Sequence, residues 1–241
     1  MAGCWSKMYV RVSSGTEIQL GLRKGYLDVK PSTAYLLTYY EGRCKGNCAF
    51  CTQARGSKAN PNFLSRVLWP PHPLEEVIAR LKKVEGKGEI RRVCIQTIIY
   101  EGMFRDLLTI IERIKASVGL PISVSCHPIV EEQIKQLAEM GVDRIAIPLD
   151  TASEEVFEKV KGREVGGIFK RRDCLNSLKT ALKYFSPKHV LSYLMIGLGE
   201  KEVDAVKAIQ ELTDLGVVCG LFAFTPIRGI ALEEFPPPPL E

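Results

Sequence analysis

The chain has 241 residues, of which 46% are hydrophobic and 25% are charged, and its formal net charge is +5. This composition is typical of a globular domain, and it excludes disordered and collagen-like chains. No apolar run reaches the ~18 residues that a membrane span needs, and no block of basic residues predicts a nucleic-acid surface. Since no secretory leader pattern is visible, we expect a cytoplasmic protein that binds neither membrane nor nucleic acid.

Short apolar runs alternate with amphipathic stretches from residue 34 onwards. The predicted strands cover residues 34–39, 90–97, 121–126, 142–149, 188–195 and 217–225. The predicted helices cover residues 74–84, 104–117, 131–140, 153–160 with 169–185, and 201–215. Such alternation predicts a parallel sheet with right-handed crossovers. Six units in sequence predict an α/β fold, a partial (β/α)6 TIM-like barrel.

Residues at the predicted boundaries agree with this division. Pro73 is suited to the first turn of the first helix, and Gly141 and Gly216 stand where a helix C-cap glycine is expected. The stretch Thr151-Ala-Ser-Glu154 matches a capping box. We therefore expect helices to begin and end near these residues.

The chain divides into three parts around this core. Residues 1–33 form a polar N-terminal extension, residues 34–230 form the barrel core, and residues 231–241 form a proline-rich tail. The run 236–239 predicts a polyproline segment, because proline fits neither a helix interior nor a central strand. No sixth helix is predicted after the last strand, which is compatible with a truncated chain or with another element on that face.

Three of the eight cysteines, Cys44, Cys48 and Cys51, follow the first predicted strand. Thiolates spaced C-x3-C-x2-C are soft ligands that suit an iron–sulfur cluster. Three ligands leave one iron of a four-iron cluster with open positions, which an enzyme that binds and reduces a small molecule needs. A zinc site or a ferredoxin-like site would require a fourth ligand nearby, and structural disulfides are not expected in the cytoplasm. The spacing therefore predicts a [4Fe-4S] cluster on these three cysteines.

Other chemically distinctive residues fall at the ends of the predicted strands. Cys94, His127 and Asp150 close the second, third and fourth strands, and Gly197-Leu-Gly-Glu200 closes the fifth. Barrel enzymes place their chemistry at the carboxyl ends of the strands. We therefore expect these residues and the cysteine loop to share one rim.

The cysteine spacing, with Phe50 before the last cysteine, resembles the signature of the radical S-adenosylmethionine (radical SAM) superfamily. Most of residues 30–230 are similar to biotin synthase and its archaeal relatives, some of which act as halves of a two-component lipoyl synthase. In that superfamily the open iron chelates SAM, and an electron from the cluster cleaves SAM to methionine and a 5′-deoxyadenosyl radical. The resemblance implies a [4Fe-4S] cluster and SAM as cofactors, and an electron donor such as ferredoxin or flavodoxin.

The resemblance also implies several SAM-binding residues besides Phe50. Leu149-Asp150-Thr151 matches a motif whose aspartate hydrogen-bonds the SAM ribose. The stretch from Gly197 to Glu200 matches the strand-five motif beside the adenine, where glycine permits close backbone approach. Arg172 aligns, next to Arg171, with an arginine that pairs with the SAM carboxylate.

Biotin synthase holds a second cluster that donates sulfur, and two of its cysteine ligands correspond to Cys94 and Cys126. Its third ligand falls at Leu191 or Ser192, so an intact second cluster is not expected. Strand parity directs Cys94 towards the barrel interior and favours His127 over Cys126 as the inward residue of the next strand. Cys94 and Cys126 are therefore the candidate ligands of an auxiliary iron–sulfur cluster.

The resemblance favours hydrogen abstraction followed by sulfur insertion, as in lipoyl or biotin synthesis. An octanoyl-lysyl carrier protein is the favoured substrate, with a second radical SAM subunit as a further partner. The alternatives are a radical SAM enzyme of another outcome (methylation, rearrangement or maturation) and a non-catalytic iron–sulfur carrier or scaffold subunit. Asp150 and Gly197–Glu200 separate the classes, because an electron carrier has no use for SAM-facing residues.

Overall fold

The computed structural model describes residues 8–239. Its strands are β1 (Tyr9–Val12), β2 (Thr33–Thr38), β3 (Phe63–Leu64), β4 (Val67–Leu68), β5 (Pro71–Pro73), β6 (Arg92–Gln96), β7 (Ile122–Ser125), β8 (Arg144–Ala146), β9 (Val190–Ile196) and β10 (Val218–Ala223). Its α-helices are α1 (Ser14–Gln19), α2 (Leu74–Glu85), α3 (Met103–Lys115), α4 (Glu131–Glu139), α5 (Glu154–Val160), α6 (Arg171–Ala181) and α7 (Glu202–Asp214).

Six strands form the parallel part of one large sheet, in the order β10-β9-β8-β7-β6-β2. Each is followed along the chain by a helix or helix pair up to α7, with α2 after β2 and α3 after β6. The predicted α/β fold, an open (β/α)6 TIM-like barrel, is therefore confirmed. Since the strands are parallel, their carboxyl ends meet at one rim.

The amino-terminal part of the chain extends this sheet at one edge. β1 pairs antiparallel with β2, and β5 pairs antiparallel with β1. Within the predicted extension, residues 1–33, β1 thus belongs to the sheet and α1 contacts β2, while residues 1–7 fall outside the described part. Among residues 8–239, no helix is long and apolar enough to cross a membrane.

The helix ends follow the sequence pattern with one correction. Pro73 is the N-cap of α2, and Gly141 and Gly216 adopt positive φ angles of 72° and 84° after α4 and α7. The predicted capping box at Thr151 is wrong: the N-cap of α5 is Ser153, whose Oγ accepts the Val156 N–H at 3.3 Å. Ser153 has the extended backbone that an N-cap needs.

The chain after β10 crosses the rim. Residues 226–239 form turns and extended segments without a helix. Ile230 and Phe224 are buried in a second apolar cluster with Ala49 of the cysteine loop and Leu198 of the strand-five loop. The principal core lies between the sheet and its helices, so this smaller cluster joins the loops of the rim to each other.

Candidate cofactor site at the strand ends

The cysteine loop leaves β2 and is shaped by hydrogen bonds to its own sulfur and backbone atoms. The Cys44 N–H donates to the Gln53 carbonyl at 3.0 Å. The Cys44 Sγ accepts the Ile99 N–H at 3.2 Å and the Gly46 N–H at 3.4 Å. Backbone N–H groups directed at sulfur stabilise a thiolate and tune iron–sulfur clusters.

Burial makes the other two thiols poor acids in the metal-free chain. Burial raises the pKa of Cys51 to about 12, and the Gln53 N–H partly opposes this. Burial also raises the pKa of Cys48, while the Lys161 ammonium opposes this increase. Ligand thiols must lose their protons to bind metal, so bound iron would supply the positive charge that these partly buried thiolates require.

The loop is attached to the chain that follows α5. The Ala49 N–H donates to the Val160 carbonyl at 2.7 Å. The Asn47 side chain donates to the Val165 carbonyl at 2.5 Å and accepts the Gly56 N–H at 2.8 Å. These bonds hold the three cysteines against the carboxyl end of α5.

Asp150 lies at the same rim, just beyond β8. Its backbone φ is 66°, in the left-handed region that aspartate tolerates better than most residues. It pairs with β9 through an isolated bridge to Leu194. Its carboxylate accepts a hydrogen bond from Lys161 Nζ at 2.7 Å. Unusual backbone geometry maintained at a rim is a frequent mark of a functional site.

Sequence reasoning missed Lys161, which belongs to this site. Its side chain is only 9% exposed, and Nζ also donates to the Pro148 carbonyl at 2.6 Å. Lys159, two residues earlier, is 54% exposed and pairs with Glu155. In the sequence the two lysines look alike, because both stand at the end of a short amphipathic helix.

The strand-five loop turns sharply at two glycines. Gly197 and Gly199 have φ angles of 96° and 99°. Both carboxylate oxygens of Glu200 accept N–H groups of the loop, from Gly197 at 2.6 Å and from Leu198 at 2.9 Å. The carboxylate therefore holds the turn in shape. A Cβ on Gly197 would lie 2.6 Å from Pro238 Cδ, so the proline-rich tail borders this loop.

Two further predicted residues occupy different surroundings. Phe50 is half-buried against the second apolar cluster. Arg172 is exposed in the first turn of α6, whereas the neighbouring Arg171 is largely buried and pairs with Glu211 at 3.1 Å. Phe50 thus lies within the rim, and Arg172 is free of ion pairs to the other described residues.

A cavity of about 210 Å³ with a mixed polar and apolar lining lies inside the barrel and reaches the amino-terminal ends of β2, β6 and β8. Cys94 lines it, as strand parity predicts, and hydrogen bonding to Ser123 partly opposes the burial that raises the pKa of its thiol. The rest of its wall includes Tyr35, Arg92, Ser125, Arg144, Leu191 and Tyr193. Such a cavity is suited to a substrate with polar groups.

The structure does not bring Cys94 and Cys126 to one surface. Cys126 is 2% exposed and packs in the hydrophobic core. Ser192, one candidate for the third ligand position, is buried, and its hydroxyl bonds to Ile147 and Leu149. The tentative two-cysteine auxiliary cluster therefore gains no support from the arrangement of these residues.

His127 is the polar residue of that strand end. Burial, reinforced by the Lys161 charge, lowers its pKa to about 4, so the ring is neutral near pH 7. The ring stacks on Phe169 with centroids 5.3 Å apart. Its Nδ1 is buried without a partner among the described residues, and His127 therefore offers an unused hydrogen-bonding atom beside Lys161.

The donor set fits a four-iron cluster better than a single metal ion. Within residues 8–239, no three His, Cys, Asp or Glu side chains are grouped around one ion position. A four-iron cluster binds each thiolate to a different iron and so separates its ligands. Soft thiols, N–H groups directed at Cys44 Sγ and a buried cation near Cys48 all suit such a cluster.

The chain forms an open parallel barrel, and its three cysteines lie on the loop after the first parallel strand. This combination places it in the class of barrel proteins that bind an iron–sulfur cluster at the rim. Residues 40–212 match the family model of the radical SAM superfamily. The chain belongs to this superfamily.

Curated relatives at low identity carry the name biotin synthase. The chain is 26% identical over 219 residues to biotin synthase of Methanococcus vannielii, covering 90% of this chain and 62% of the relative. It is 30% identical over 202 residues to biotin synthase of Desulforudis audaxviator, covering 82% and 57%. The chain therefore spans about three fifths of the length of these relatives.

Solved structures share the fold at lower identity. Methylornithine synthase (PylB) superposes with a TM-score of 0.65 at 19% identity, covering 83% of this chain and 56% of that one. The [FeFe]-hydrogenase maturase HydG from Carboxydothermus hydrogenoformans gives 0.60 at 18% identity, covering 82% and 46%. At this level of identity, these structural similarities support the assignment of the fold and do not indicate a specific activity.

Proposed function

We propose that this radical SAM enzyme cleaves SAM reductively at the rim and abstracts a hydrogen atom from a substrate inside the barrel. One observation carries the proposal: the cysteine loop, Asp150 and the Gly197 turn lie together at the carboxyl ends of strands whose inner face lines a cavity. When bound, the [4Fe-4S] cluster and SAM supply the electron transfer and the 5′-deoxyadenosyl radical.

The proposal gives each rim residue a role. Cys44, Cys48 and Cys51 hold the cluster through their thiolates. Asp150, at 17% side-chain exposure, accepts hydrogen bonds from the ribose hydroxyls. Gly197 and Gly199 let the backbone approach the adenine.

Three other residues complete the proposed cofactor site. Glu200 maintains the strand-five turn through its two N–H bonds. Phe50 covers the apolar side of the cysteine loop. Arg172, exposed near the rim, binds the SAM carboxylate.

Electronic absorption and iron analysis test the cluster assignment. After anaerobic reconstitution, the wild-type chain is expected to hold a four-iron cluster that the Cys44→Ala, Cys48→Ala and Cys51→Ala variants lose. A Cys219→Ala variant is the matched control, since Cys219 lies on β10 and outside the loop. Equal iron content in the triad variants and the control would contradict the assignment.

For the reaction outcome we propose sulfur insertion, with an octanoyl-lysyl carrier protein as substrate, a second radical SAM subunit as partner and ferredoxin or flavodoxin as reductant. The biotin synthase relatives support insertion of sulfur, and Cys94 presents a thiol to the cavity. Cys126 is buried in the core, so of these two cysteines we propose Cys94 as the sulfur donor.

Product analysis separates the outcomes. The cluster-loaded enzyme is incubated with SAM, a reductant and either an octanoyl-lysyl peptide or dethiobiotin. The masses of the products are then determined by mass spectrometry. Incorporation of sulfur into either substrate supports sulfur insertion. If Cys94→Ser abolishes this incorporation and Cys219→Ser does not, the insertion depends on Cys94. Formation of 5′-deoxyadenosine with no sulfur gained contradicts insertion into these two substrates. It would direct the search to methylation, rearrangement or maturation; the structures with a similar fold include a radical SAM methyltransferase and the maturase HydG.

A further inference from the structure

Lys161 is a buried cation that the proposed chemistry does not yet use. It follows the last residue of α5, and its ammonium donates to Asp150 Oδ2 at 2.7 Å and to the Pro148 carbonyl at 2.6 Å. The Phe157 ring centroid lies 5.6 Å from Nζ. An ammonium has three N–H donors, so one donor has no partner among the described residues. The burial of a charge requires such pairing, because removal of water from it is costly.

The environment keeps this group charged. Burial alone would lower the pKa of Lys161, but the Asp150 carboxylate, together with the Cys174 and Cys48 side chains, outweighs burial and raises it above the usual range. Its charge also opposes the upward shift in the pKa of Cys48 and adds to the downward shift in the pKa of His127. Lys161 thus acts electrostatically on a proposed cluster ligand as well as on Asp150.

The local fold places Lys161 between the two proposed halves of the cofactor site. The residue before it, Val160, accepts the N–H of Ala49 in the cysteine loop. A Cβ on Gly167 would lie 1.8 Å from the Lys161 carbonyl oxygen, so the chain after α5 closes tightly on it. The backbone of Lys161 is therefore held in the same segment that accepts the hydrogen bond of the cysteine loop.

Resting on the proposed radical SAM function, we propose that Lys161 is a positioning residue that orients the Asp150 carboxylate and maintains a fixed positive charge beside Cys48. One-electron reduction makes a cluster more negative. A nearby buried cation therefore stabilises the reduced form more than the oxidised form, and it raises the reduction potential. The electron itself comes from an external one-electron reductant.

The test uses four variants of the reconstituted full chain. Lys161→Met removes the charge, Lys161→Arg keeps it, and the double variant Asp150→Asn with Lys161→Met removes both partners. Lys159→Met is the matched control, because Lys159 lies two residues away on the exposed side of α5. The reduction potential is measured by EPR-monitored redox titration, SAM affinity by equilibrium binding, and folding by circular dichroism.

We expect Lys161→Met to shift the reduction potential to a more negative value and to weaken SAM binding about tenfold, as loss of a charge-assisted hydrogen bond to Asp150 predicts. Lys161→Arg should retain both properties, and Lys159→Met should match the wild type. In the double variant the folded fraction should recover and the potential should return towards the wild-type value, because the lost carboxylate and the lost ammonium act on the cluster with opposite sign. A merely structural role would leave the potential of folded, cluster-loaded Lys161→Met unchanged.

Two failures are distinguishable. If the wild-type chain takes up no four-iron cluster, the proposed function fails and this inference fails with it. If the wild type holds the cluster and cleaves SAM, an unchanged potential and an unchanged SAM affinity in Lys161→Met overturn the inference alone. Should Lys161→Met fail to fold, the folded double variant is compared with an Asp150→Asn single variant, which differs from it only in the Lys161 charge. Equal potentials in these two variants overturn the inference equally.

Discussion

The Asn47 side-chain amide lies 2.5 Å from the carbonyl oxygen of Val165 and joins the cysteine loop to the segment after α5. Asn47 stands directly before Cys48, and its amide oxygen also accepts the Gly56 N–H at 2.8 Å. One side chain therefore links three points of the rim. The link bridges 118 positions of sequence, so the loop acquires its shape only when the barrel has formed.

Removal of this link should weaken cluster retention. In Asn47→Ala the half-buried Val165 carbonyl and the exposed Gly56 N–H lose this partner, which costs about 0.5–1.5 kcal/mol of stability. We expect lower iron content after reconstitution and a lower melting temperature. Asn176→Ala, on the exposed face of α6, is the control and should resemble the wild type. An iron content in Asn47→Ala equal to that of the wild type would contradict this role of the Asn47 side chain.

A side chain at Gly197 should disturb the strand-five turn. The φ of 96° costs an L-residue about 1–2 kcal/mol, and the new Cβ would meet Pro238 Cδ at 2.6 Å. We predict that Gly197→Ala lowers the melting temperature and weakens SAM binding about tenfold, since the backbone could no longer approach the adenine closely.

The control for this substitution is Gly86→Ala. Gly86 has a right-handed φ of −64° at the end of α2, and a Cβ there would meet nothing within 4 Å. That change should be neutral or slightly stabilising. Equal stability and SAM affinity for both variants would show that the turn tolerates a side chain.

The neutral His127 should make the metal-free chain sensitive to acid. Burial first, and the Lys161 charge second, lower its pKa from 6.5 to about 4. Between these values the unfolded chain binds a proton that the folded chain does not. The neutral His127 therefore contributes its full share to the free energy of unfolding above about pH 6.5, and this share is lost as the pH falls towards about 4.

Urea unfolding at about pH 7 and about pH 4.5 measures this effect. We predict that His127→Gln reduces the loss of unfolding free energy between the two pH values. The same loss in the variant and the wild type would assign the acid sensitivity to other groups.

Much of the architecture follows from sequence periodicity. Alternating apolar runs located β2 and β6 to β10 within a few residues, and Gly141 and Gly216 marked helix ends because only positive φ angles fit there. The capping box failed by two residues. Both Thr151 and Ser153 are good N-cap residues, and the backbone direction after β8 decides between them.

The candidate site was only partly predictable. The cysteine spacing and the predicted strand ends identify Cys48 and Asp150, because their residue type and sequence position alone suggest a functional role. Lys161 differs from Lys159 only through its contact with Asp150, and that depends on the path of the chain after α5. The buried Arg171 and the exposed Arg172 likewise differ only by helix orientation. Such differences depend on contacts between distant parts of the chain, which the local sequence does not predict.

The central claim is tested most directly by reductive cleavage of SAM. The chain is reconstituted with iron and sulfide without oxygen, given SAM and a strong reductant, and assayed for 5′-deoxyadenosine by liquid chromatography. We predict that the wild type and Cys219→Ala form 5′-deoxyadenosine and that Cys48→Ala forms none. Absence of 5′-deoxyadenosine from the cluster-loaded wild type, or an undiminished yield in Cys48→Ala, would contradict the assignment of this rim as a radical SAM site.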